Sequence, residues 1–265
     1  DELKRKQAEL NEARTLQLAL VPPPFAGEAA GRQIAVAALL EPAKEVGGDL
    51  VDHFFIGDDQ IVLALGDVSD KGAGAGLRMA RTHALFRALA ARPDAPELFA
   101  DPARAVGLVN EALARGNASC MFVTFALVSV DLATGALAYV RAGHVPPFLR
   151  GGGELARLTG KGGPALGIVE EFPYRAETHQ LMPGDQLLVV TDGFTAARDR
   201  VEGGQGVGVV LLAVVDADDD HAAGGVGPGG HVPGHPLFVR GGAAGGGRLS
   251  VRVRCPLDVV LVPPL

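Results

Sequence analysis

Three aspartates lie where an apolar run meets glycine, and their type and spacing could support metal chemistry. Asp49 and Asp67 each follow a glycine, and Asp192 precedes one. Carboxylates in such positions offer the oxygen-rich, partly hydrated surroundings that Mg²⁺ and Mn²⁺ prefer. Aspartate beside glycine is also common in turns that have no chemical role. The spacing alone leaves both interpretations open.

The first two aspartates flank a predicted β-hairpin. Apolar residues run over 49–56 and 61–65, and a glycine-containing turn at 57–59 separates them. If the outgoing strand starts at Asp49 and the returning strand ends at Asp67, both carboxylates come to the same edge of the sheet. A cation there would offset their mutual repulsion.

Helices and further strands follow the hairpin. The pattern predicts helices over 75–91 and 102–115, the second beginning after Asp101 as its N-cap. Two consecutive helices after a hairpin favour a layered α+β fold over a regular βαβ alternation. The other predicted strands cover residues 33–40, 122–130, 136–142, 174–181 and 186–191, and the last of them runs into Asp192.

Residues 1–24 are predicted to form a linker helix that ends at three prolines. Proline lacks the amide hydrogen that the helix needs, so Pro22-Pro23-Pro24 stops it. The helix either packs on the following domain or continues as a coiled coil towards an upstream module. The second alternative makes it a candidate contact for a homodimer. Its narrow apolar stripe consists of Leu3, Leu10, Ala13, Leu16 and Leu20.

Composition excludes several classes of function. The 265 residues are 48% hydrophobic, which supports a sizeable core, and no run of 18 apolar residues predicts a membrane span. The formal net charge of −7 argues against nucleic acid as a partner, because a phosphate-binding surface needs a basic excess. Cys120 and Cys255 give no disulfide framework, so a cytoplasmic location is predicted. The first residue is Asp1 and not methionine, which indicates a fragment of a longer protein.

Five glycine-containing motifs follow one another along the chain. They are Glu45-Val46-Gly47-Gly48-Asp49, Gly66-Asp67-Val68-Ser69-Asp70-Lys71-Gly72, Ala142-Gly143-His144-Val145-Pro146-Pro147, Pro183-Gly184-Asp185 and Thr191-Asp192-Gly193. In this order they resemble the bacterial SpoIIE/RsbU branch of the PPM metal-dependent serine/threonine protein phosphatases. The resemblance extends across residues 10–200 and implies a four-layer α-β-β-α sandwich with two antiparallel sheets, with the phosphatase domain over 25–202.

The resemblance also implies a site and a reaction. Two Mn²⁺ or Mg²⁺ ions would be held by Asp49, by Asp67 with the carbonyl of Val68, and by Asp192. A water activated by these ions would hydrolyse phosphoserine or phosphothreonine on a protein. The implied substrate is a phosphorylated signalling regulator of the anti-sigma-factor antagonist type. An upstream sensor or receiver domain is expected outside this fragment.

Other polar residues near the motifs have open or structural roles. His144 is either a general acid, since imidazole titrates near neutrality, or part of a structural segment. Lys71 and Arg78 either contact the phosphoprotein substrate or form a solvated face. Because the implied reaction needs no cysteine or serine nucleophile, Cys120 and Ser69 are expected to be structural.

Residues 203–265 depart from the family pattern. They contain no lysine and no glutamate, and glycine, valine and proline dominate, which predicts a poorly ordered or atypical tail. A frameshifted or degenerate coding sequence would produce such a segment. The family's last strand carries a further metal-binding acid, and the nearest candidate here is Asp258. This departure favours a second function, a catalytically impaired module for regulation or dimerisation, whereas the three retained aspartates favour the enzyme.

Overall fold

The computed structural model describes residues 2–42, 47–70, 72–152, 154–191, 207–215, 238–244, 248–254 and 258–261. The helices described are α1 (Glu2–Leu18), α2 (Ala73–Ala90), α3 (Ala95–Ala100) and α4 (Pro102–Ala114). The strands described are β1 (Phe25–Ala29), β2 (Arg32–Glu41), β3 (Leu50–Ile56), β4 (Gln60–Val68), β5 (Val123–Asp131), β6 (Ala136–Ala142), β7 (Phe148–Gly151), β8 (Glu154–Arg157), β9 (Glu177–Gln180), β10 (Gln186–Val190), β11 (Val207–Val215), β12 (Phe238–Ala244), β13 (Arg248–Arg254) and β14 (Asp258–Leu261).

Two large sheets form the body of the fold. One has five strands in the order β3-β4-β5-β6-β9, and the other has six in the order β1-β2-β11-β10-β7-β8. Neighbouring strands pair antiparallel in both sheets. The predicted α+β fold with two antiparallel sheets is therefore confirmed. Strands β12, β13 and β14 make a separate three-stranded sheet.

An apolar layer joins the two sheets face to face. The five-stranded sheet contributes Val51, Leu63 and Val128, and the six-stranded sheet contributes Ile34 and Leu187, all of them buried. Side chains alternate between the faces of a strand, so every second residue of these strands enters this layer. Burial of this layer provides much of the driving force that holds the sheets together.

A second apolar layer lies between the five-stranded sheet and the helices α2, α3 and α4. Phe86 of α2 stacks on Phe125 of β5, with ring centroids 4.4 Å apart. Phe99 of α3 meets Phe54 of β3 edge to face at 5.7 Å. The resemblance implies helices over the six-stranded sheet as well. In the ranges that the structure describes, no helix covers that outer face.

Two local elements differ from the sequence-based expectation. The predicted helices left residues 92–101 without a regular element, but Ala95–Ala100 forms the short helix α3, with Pro96 in its first turn. Proline fits in the first turn of a helix, because the amide it lacks would have no partner there. Strand β9 covers only Glu177–Gln180, which is shorter than the predicted 174–181.

Strand β11 lies in the segment that was expected to be an atypical tail. Its residues pair with β2 along one side, from Val207 opposite Glu41 to Val215 opposite Gln33, and with β10 along the other. The six-stranded sheet therefore continues past the domain boundary expected at residue 202. A continuous apolar run is typical of a central strand buried on both faces, and the run Val209–Val215 is such a signal.

His53 of β3 is a buried histidine whose Nε2 has no hydrogen-bond partner among the described residues. Burial, opposed by Asp52 and assisted by Arg87, lowers the pKa of His53 from its usual 6.5 to about 4. Between these two pH values the unfolded chain binds more protons than the native state. The stability present above pH 6.5 is therefore lost as the pH falls towards 4.

We expect the free energy of unfolding to fall by about 2 kcal/mol more in the wild type than in His53→Leu between pH 7.5 and pH 5. Leucine does not titrate, so the variant lacks this one contribution while the other groups still titrate. Urea unfolding at both pH values measures the difference. Equal losses in the two proteins would contradict the assignment of this pH dependence to His53.

Candidate metal site

The β3–β4 hairpin brings Asp49 and Asp67 to the same end of the five-stranded sheet. Leu50 pairs with Gly66, so the next position on each strand is Asp49 and Asp67. The Val68 amide donates to the carbonyl of Gly48 at 3.3 Å, which extends the pairing beyond the strands. Asp49 is buried, and Asp67 and Val68 form the last positions of β4.

Gly48 faces the oxygens of both Asp67 and Val68. A Cβ atom at Gly48 would lie 3.1 Å from Asp67 Oδ1 and 3.0 Å from the carbonyl oxygen of Val68. A carboxylate and a backbone carbonyl thus lie against a single point that only glycine leaves open. These hard oxygen donors suit Mg²⁺ or Mn²⁺, so the residues present fit the ions that the resemblance implies.

Two other residues singled out from the sequence lie outside the described residues: Asp192, a predicted ligand, and Lys71, expected to contact substrate or to form a solvated face. Thr191, the neighbour of Asp192, is fully buried after the end of β10. Asp258 begins β14 in the separate three-stranded sheet. Within the described ranges no group of three or more His, Cys, Asp or Glu side chains gathers at one point.

Gln17 connects the N-terminal helix to the loop that carries Asp49. Its Nε2 donates to the carbonyls of Gly47 (3.1 Å) and Asp49 (3.2 Å), and its Oε1 accepts from the Gly47 amide (3.0 Å). It is the only buried residue of α1. Sequence reasoning missed this role of Gln17, because a glutamine on a charged helix is usually solvated.

We expect Gln17→Glu to lower the melting temperature and to weaken Mn²⁺ binding. The substituted carboxylate has the same shape but would face two carbonyl oxygens without a hydrogen to donate, which costs about 1–3 kcal/mol. Differential scanning fluorimetry and calorimetric Mn²⁺ titration measure the two effects. Gln7→Glu, on the exposed part of α1, is the matched control. Unchanged behaviour of Gln17→Glu would show that the helix does not support the Asp49 loop.

We expect Gly48→Ala to weaken Mn²⁺ binding about tenfold, the lower end of what loss of a supporting group usually costs. The added methyl would lie closer to the Asp67 and Val68 oxygens than the about 3.5–4.0 Å of ordinary contacts, so these oxygens must move. Gly47→Ala is the control, because among the described residues beyond its chain neighbours its Cβ would come no closer than 3.4 Å to any atom. Equal Mn²⁺ affinity in both alanine variants would contradict the prediction.

Arg78 and Ser69 have structural roles in the same region. The Arg78 guanidinium is buried and donates to the carbonyls of Leu113 and Met121 at 3.0 and 2.8 Å. The expectation that it contacts substrate or forms a solvated face is therefore wrong. Ser69 Oγ accepts from the Phe122 amide at 3.1 Å, as a structural serine would. Cys120 is exposed.

His144 is buried, and both of its ring nitrogens lie within hydrogen-bonding distance of partners. Nδ1 lies 3.1 Å from Thr124 Oγ1, and Nε2 lies 3.0 Å from the carbonyl oxygen of Val190. This arrangement favours the structural interpretation over a general acid. Thr124 was not singled out from the sequence, because its importance depends on the strand opposite.

The described residues show three of the four layers of the PPM phosphatase fold, namely two antiparallel sheets face to face and helices over one of them, with acidic residues at a sheet edge. The model of the SpoIIE family, stage II sporulation protein E, matches residues 57–223. The chain therefore belongs to the SpoIIE family, as the motifs predicted.

Curated relatives share part of their length with this chain. It is 29% identical over 188 residues to protein IcfG of Synechocystis sp., covering 63% of this chain and 30% of IcfG. It is 27% identical over 165 residues to the phosphoserine phosphatase RsbU of Bacillus subtilis, covering 62% of this chain and 47% of RsbU. The chain thus spans less than half the length of these relatives.

Solved structures share the fold at low sequence identity. The SiaA-PP2C domain of Pseudomonas aeruginosa matches with a TM-score of 0.61 and 19% identity, over 82% of this chain and 99% of that one. The catalytic domain of the serine/threonine protein phosphatase PstP, in complex with two manganese ions, matches with a TM-score of 0.54 and 21% identity, over 69% and 99%. Among the residues described here, no helix combines the length and apolar character that a membrane span requires.

Proposed function

We propose that this chain is a metal-dependent serine/threonine protein phosphatase. The observation that carries the proposal is the Gly48 position, where the Asp67 carboxylate and the Val68 carbonyl lie together at the end of the hairpin. Membership of the SpoIIE family supports it, because RsbU is a phosphoserine phosphatase and PstP binds two manganese ions. Phosphatase chemistry of this class needs no side-chain nucleophile.

In this proposal Asp49, Asp67, Asp192 and the Val68 carbonyl hold two Mn²⁺ or Mg²⁺ ions. When bound, such ions lower the pKa of coordinated water and offset negative charge on phosphoryl oxygens. The protein holds the carboxylates in place through the β4–β5 pairing and the Gln17 contacts. Burial of Asp49 strengthens its attraction for a cation, because the local dielectric constant is low.

The substrate is proposed to be a phosphorylated regulator of the anti-sigma-factor antagonist type, in the cytoplasm. A related fold occurs in a Mycobacterium tuberculosis protein that contains both RsbU and RsbW domains, which supports a place in such signalling. The relatives are longer than this chain, which supports an upstream sensor or receiver domain. The exposed stripe of α1, including Leu3 and Leu16, supports a homodimer through this helix. Residues 1–24 would then be the linker and 25–202 the main part of the phosphatase domain.

The test is hydrolysis of p-nitrophenyl phosphate and of a phosphoserine peptide, with Mn²⁺ and with excess EDTA. We expect both substrates to be hydrolysed only with the metal. A phosphothreonine peptide tests the second residue type, and a phosphotyrosine peptide controls for specificity. If neither substrate is hydrolysed faster with Mn²⁺ than with EDTA, the proposed phosphatase activity is contradicted.

The alternative is a catalytically impaired module for regulation or dimerisation. One observation favours it: Asp258, the candidate for the family's last acidic ligand, begins a strand of the separate three-stranded sheet and not of the sandwich. In that case Mn²⁺ would bind weakly or not at all while the chain still folded and self-associated. Analytical ultracentrifugation beside the phosphatase assay separates the two functions.

A further inference from the structure

His144 lies in the bend that follows β6, at the end of the sandwich that carries Asp67. The residue is 6% exposed, and its imidazole reaches both sheets. Nδ1 lies 3.1 Å from the hydroxyl of Thr124 in the five-stranded sheet. Nε2 lies 3.0 Å from the carbonyl oxygen of Val190 in the six-stranded sheet. One ring thus spans the gap between two strands that do not pair.

The two hydrogen-bond partners of His144 indicate which ring nitrogen carries the hydrogen. A carbonyl oxygen can only accept, so Nε2 carries the hydrogen and donates it to Val190. In the neutral ring Nδ1 is then an acceptor, and the Thr124 hydroxyl donates to it. Because each nitrogen has a defined partner, the ring orientation is determined by both sheets together.

Each end of this bridge is next to a proposed ligand. Thr124 pairs directly opposite Asp67 in the β4–β5 register, and its hydroxyl also lies 3.4 Å from the Asp67 carbonyl. Val190 is the last residue of β10 and precedes Asp192 by two positions in the sequence. The bridge therefore connects the start of β5, which is paired with the Asp67 end of β4, to the end of β10, which leads to Asp192.

The bend itself is held by the Arg141 side chain and by the close packing of Gly143. Arg141 donates to the carbonyl of His144 at 3.2 Å and to that of Gly160. Gly143 has a φ of +68°, and a Cβ atom there would lie 3.1 Å from atoms of Ala165, so glycine is required. These contacts limit the positions that the imidazole can take.

We propose that His144 is a positioning residue that ties the Asp67 strand to the strand leading to Asp192 and thereby maintains the spacing of the metal ligands. This inference rests on the proposed function, since the spacing matters only if the acids bind metal. His144 acts through Thr124 and Val190 and does not exchange a proton with substrate. Partners that orient metal ligands in this way typically change metal affinity about 10–100-fold when they are removed.

Calorimetric titration of the metal-free chain with MnCl₂ tests the bridge without relying on turnover. Thr124→Val removes the hydroxyl at nearly constant shape, and Thr124→Ser keeps it. His144→Asn can imitate only the Nδ1 half of the ring, and His144→Gln only the Nε2 half. We expect Thr124→Val and both His144 variants to bind Mn²⁺ at least about tenfold more weakly, while Thr124→Ser stays close to wild type.

A double variant and a control complete the experiment. Thr124→Val combined with His144→Gln should bind no more weakly than His144→Gln alone, because both changes break one bridge. His179→Ala, an exposed histidine of β9, should bind like the wild type. The dependence of the Mn²⁺-dependent hydrolysis rate on pH should be the same in His144→Gln as in the wild type. Loss, in the variant, of a fall in rate at alkaline pH would instead identify His144 as a general acid. If the His144 variants do not fold, the Thr124→Val and Thr124→Ser pair decides.

The outcomes separate this inference from the function on which it rests. If the wild type binds Mn²⁺ and both Thr124→Val and His144→Gln bind it with the same affinity as the wild type, the positioning role of His144 is overturned. The proposed phosphatase function is then unaffected. Wild type that binds no Mn²⁺ would overturn the proposed metal site and the bridge together.

Discussion

Asp67→Asn is expected to reduce Mn²⁺-dependent hydrolysis by at least about a hundredfold, more than the 10–100-fold that loss of a supporting partner costs. The amide keeps the shape of the side chain but carries no negative charge and offers one oxygen in place of two. A cation beside the Val68 carbonyl would lose its main anionic partner at this point of the site. The measurement is the rate of phosphopeptide hydrolysis at several Mn²⁺ concentrations.

Charge loss at the metal site can be separated from charge loss elsewhere on the hairpin. Asp58→Asn changes an exposed acid in the β3–β4 turn and should leave the rate unchanged. Circular dichroism should show the same fold for both variants, since asparagine is close in shape to aspartate. An Asp67→Asn protein with the wild-type rate and metal dependence would remove Asp67 from the site. Partial recovery at high Mn²⁺ would indicate that the variant lost affinity and not the ability to react.

Arg87→Met is expected to lower the free energy of unfolding by about 2–3 kcal/mol, because it leaves a buried carboxylate without its main partner. Asp52 of β3 is 1% exposed in its side chain, and Arg87 of α2 binds both of its oxygens, at 2.7 and 2.6 Å. The value lies below the about 3–5 kcal/mol typical of fully buried pairs, because the Arg87 side chain is 41% exposed. The Arg87 guanidinium also lies over the Phe54 ring, 4.7 Å from its centroid.

Urea unfolding of two further variants tests whether the loss of stability in Arg87→Met arises from burial of the Asp52 carboxylate. Arg92→Met breaks a pair of similar geometry with Asp94, 2.7 Å apart, but both partners are exposed and no measurable change is expected. Asp52→Asn combined with Arg87→Met should be more stable than Arg87→Met alone, because no buried charge remains. His83 Nε2 lies 3.0 Å from Asp52 Oδ2 but outside hydrogen-bonding geometry, so Arg87 makes the bidentate contact with this carboxylate. An Arg87→Met protein as stable as Arg92→Met would contradict the burial argument.

Local signals in the sequence predicted the elements on which the site is built. The hairpin expected over 49–56 and 61–65 forms as Leu50–Ile56 and Gln60–Val68, because alternating apolar residues and a glycine turn act over a few residues. The helix expected after Asp101 begins at Pro102, and the Asp101 carboxylate accepts from the Ala103 amide at 3.3 Å. Capping and periodicity are short-range effects, so one chain segment is enough to predict them.

Non-local pairing accounts for what the sequence did not predict. The glycine and valine content of the C-terminal segment predicted an atypical tail. In the structure Val207–Val215 forms a strand that pairs with β2 and β10, which are distant in the sequence. This pairing depends on the free strand edges that β2 and β10 provide. Arg78 looked solvated because an arginine on a helix usually is, yet α4 and the residues before β5 surround it with carbonyl groups. In both cases the partners, β2 for Val207–Val215 and α4 for Arg78, are distant in the sequence.

By itself the sequence determined the order of the motifs, the acids at Asp49, Asp67 and Asp192, the α+β class and the family, because these depend on residue type and local periodicity. Only the tertiary structure decided that Gly48 faces the Asp67 and Val68 oxygens, that Gln17 supports the Asp49 loop and that His144 joins the two sheets. The physical reason is distance along the chain. Hydrogen bonds between residues 30 to 46 positions apart form only after both sheets and the N-terminal helix have packed together.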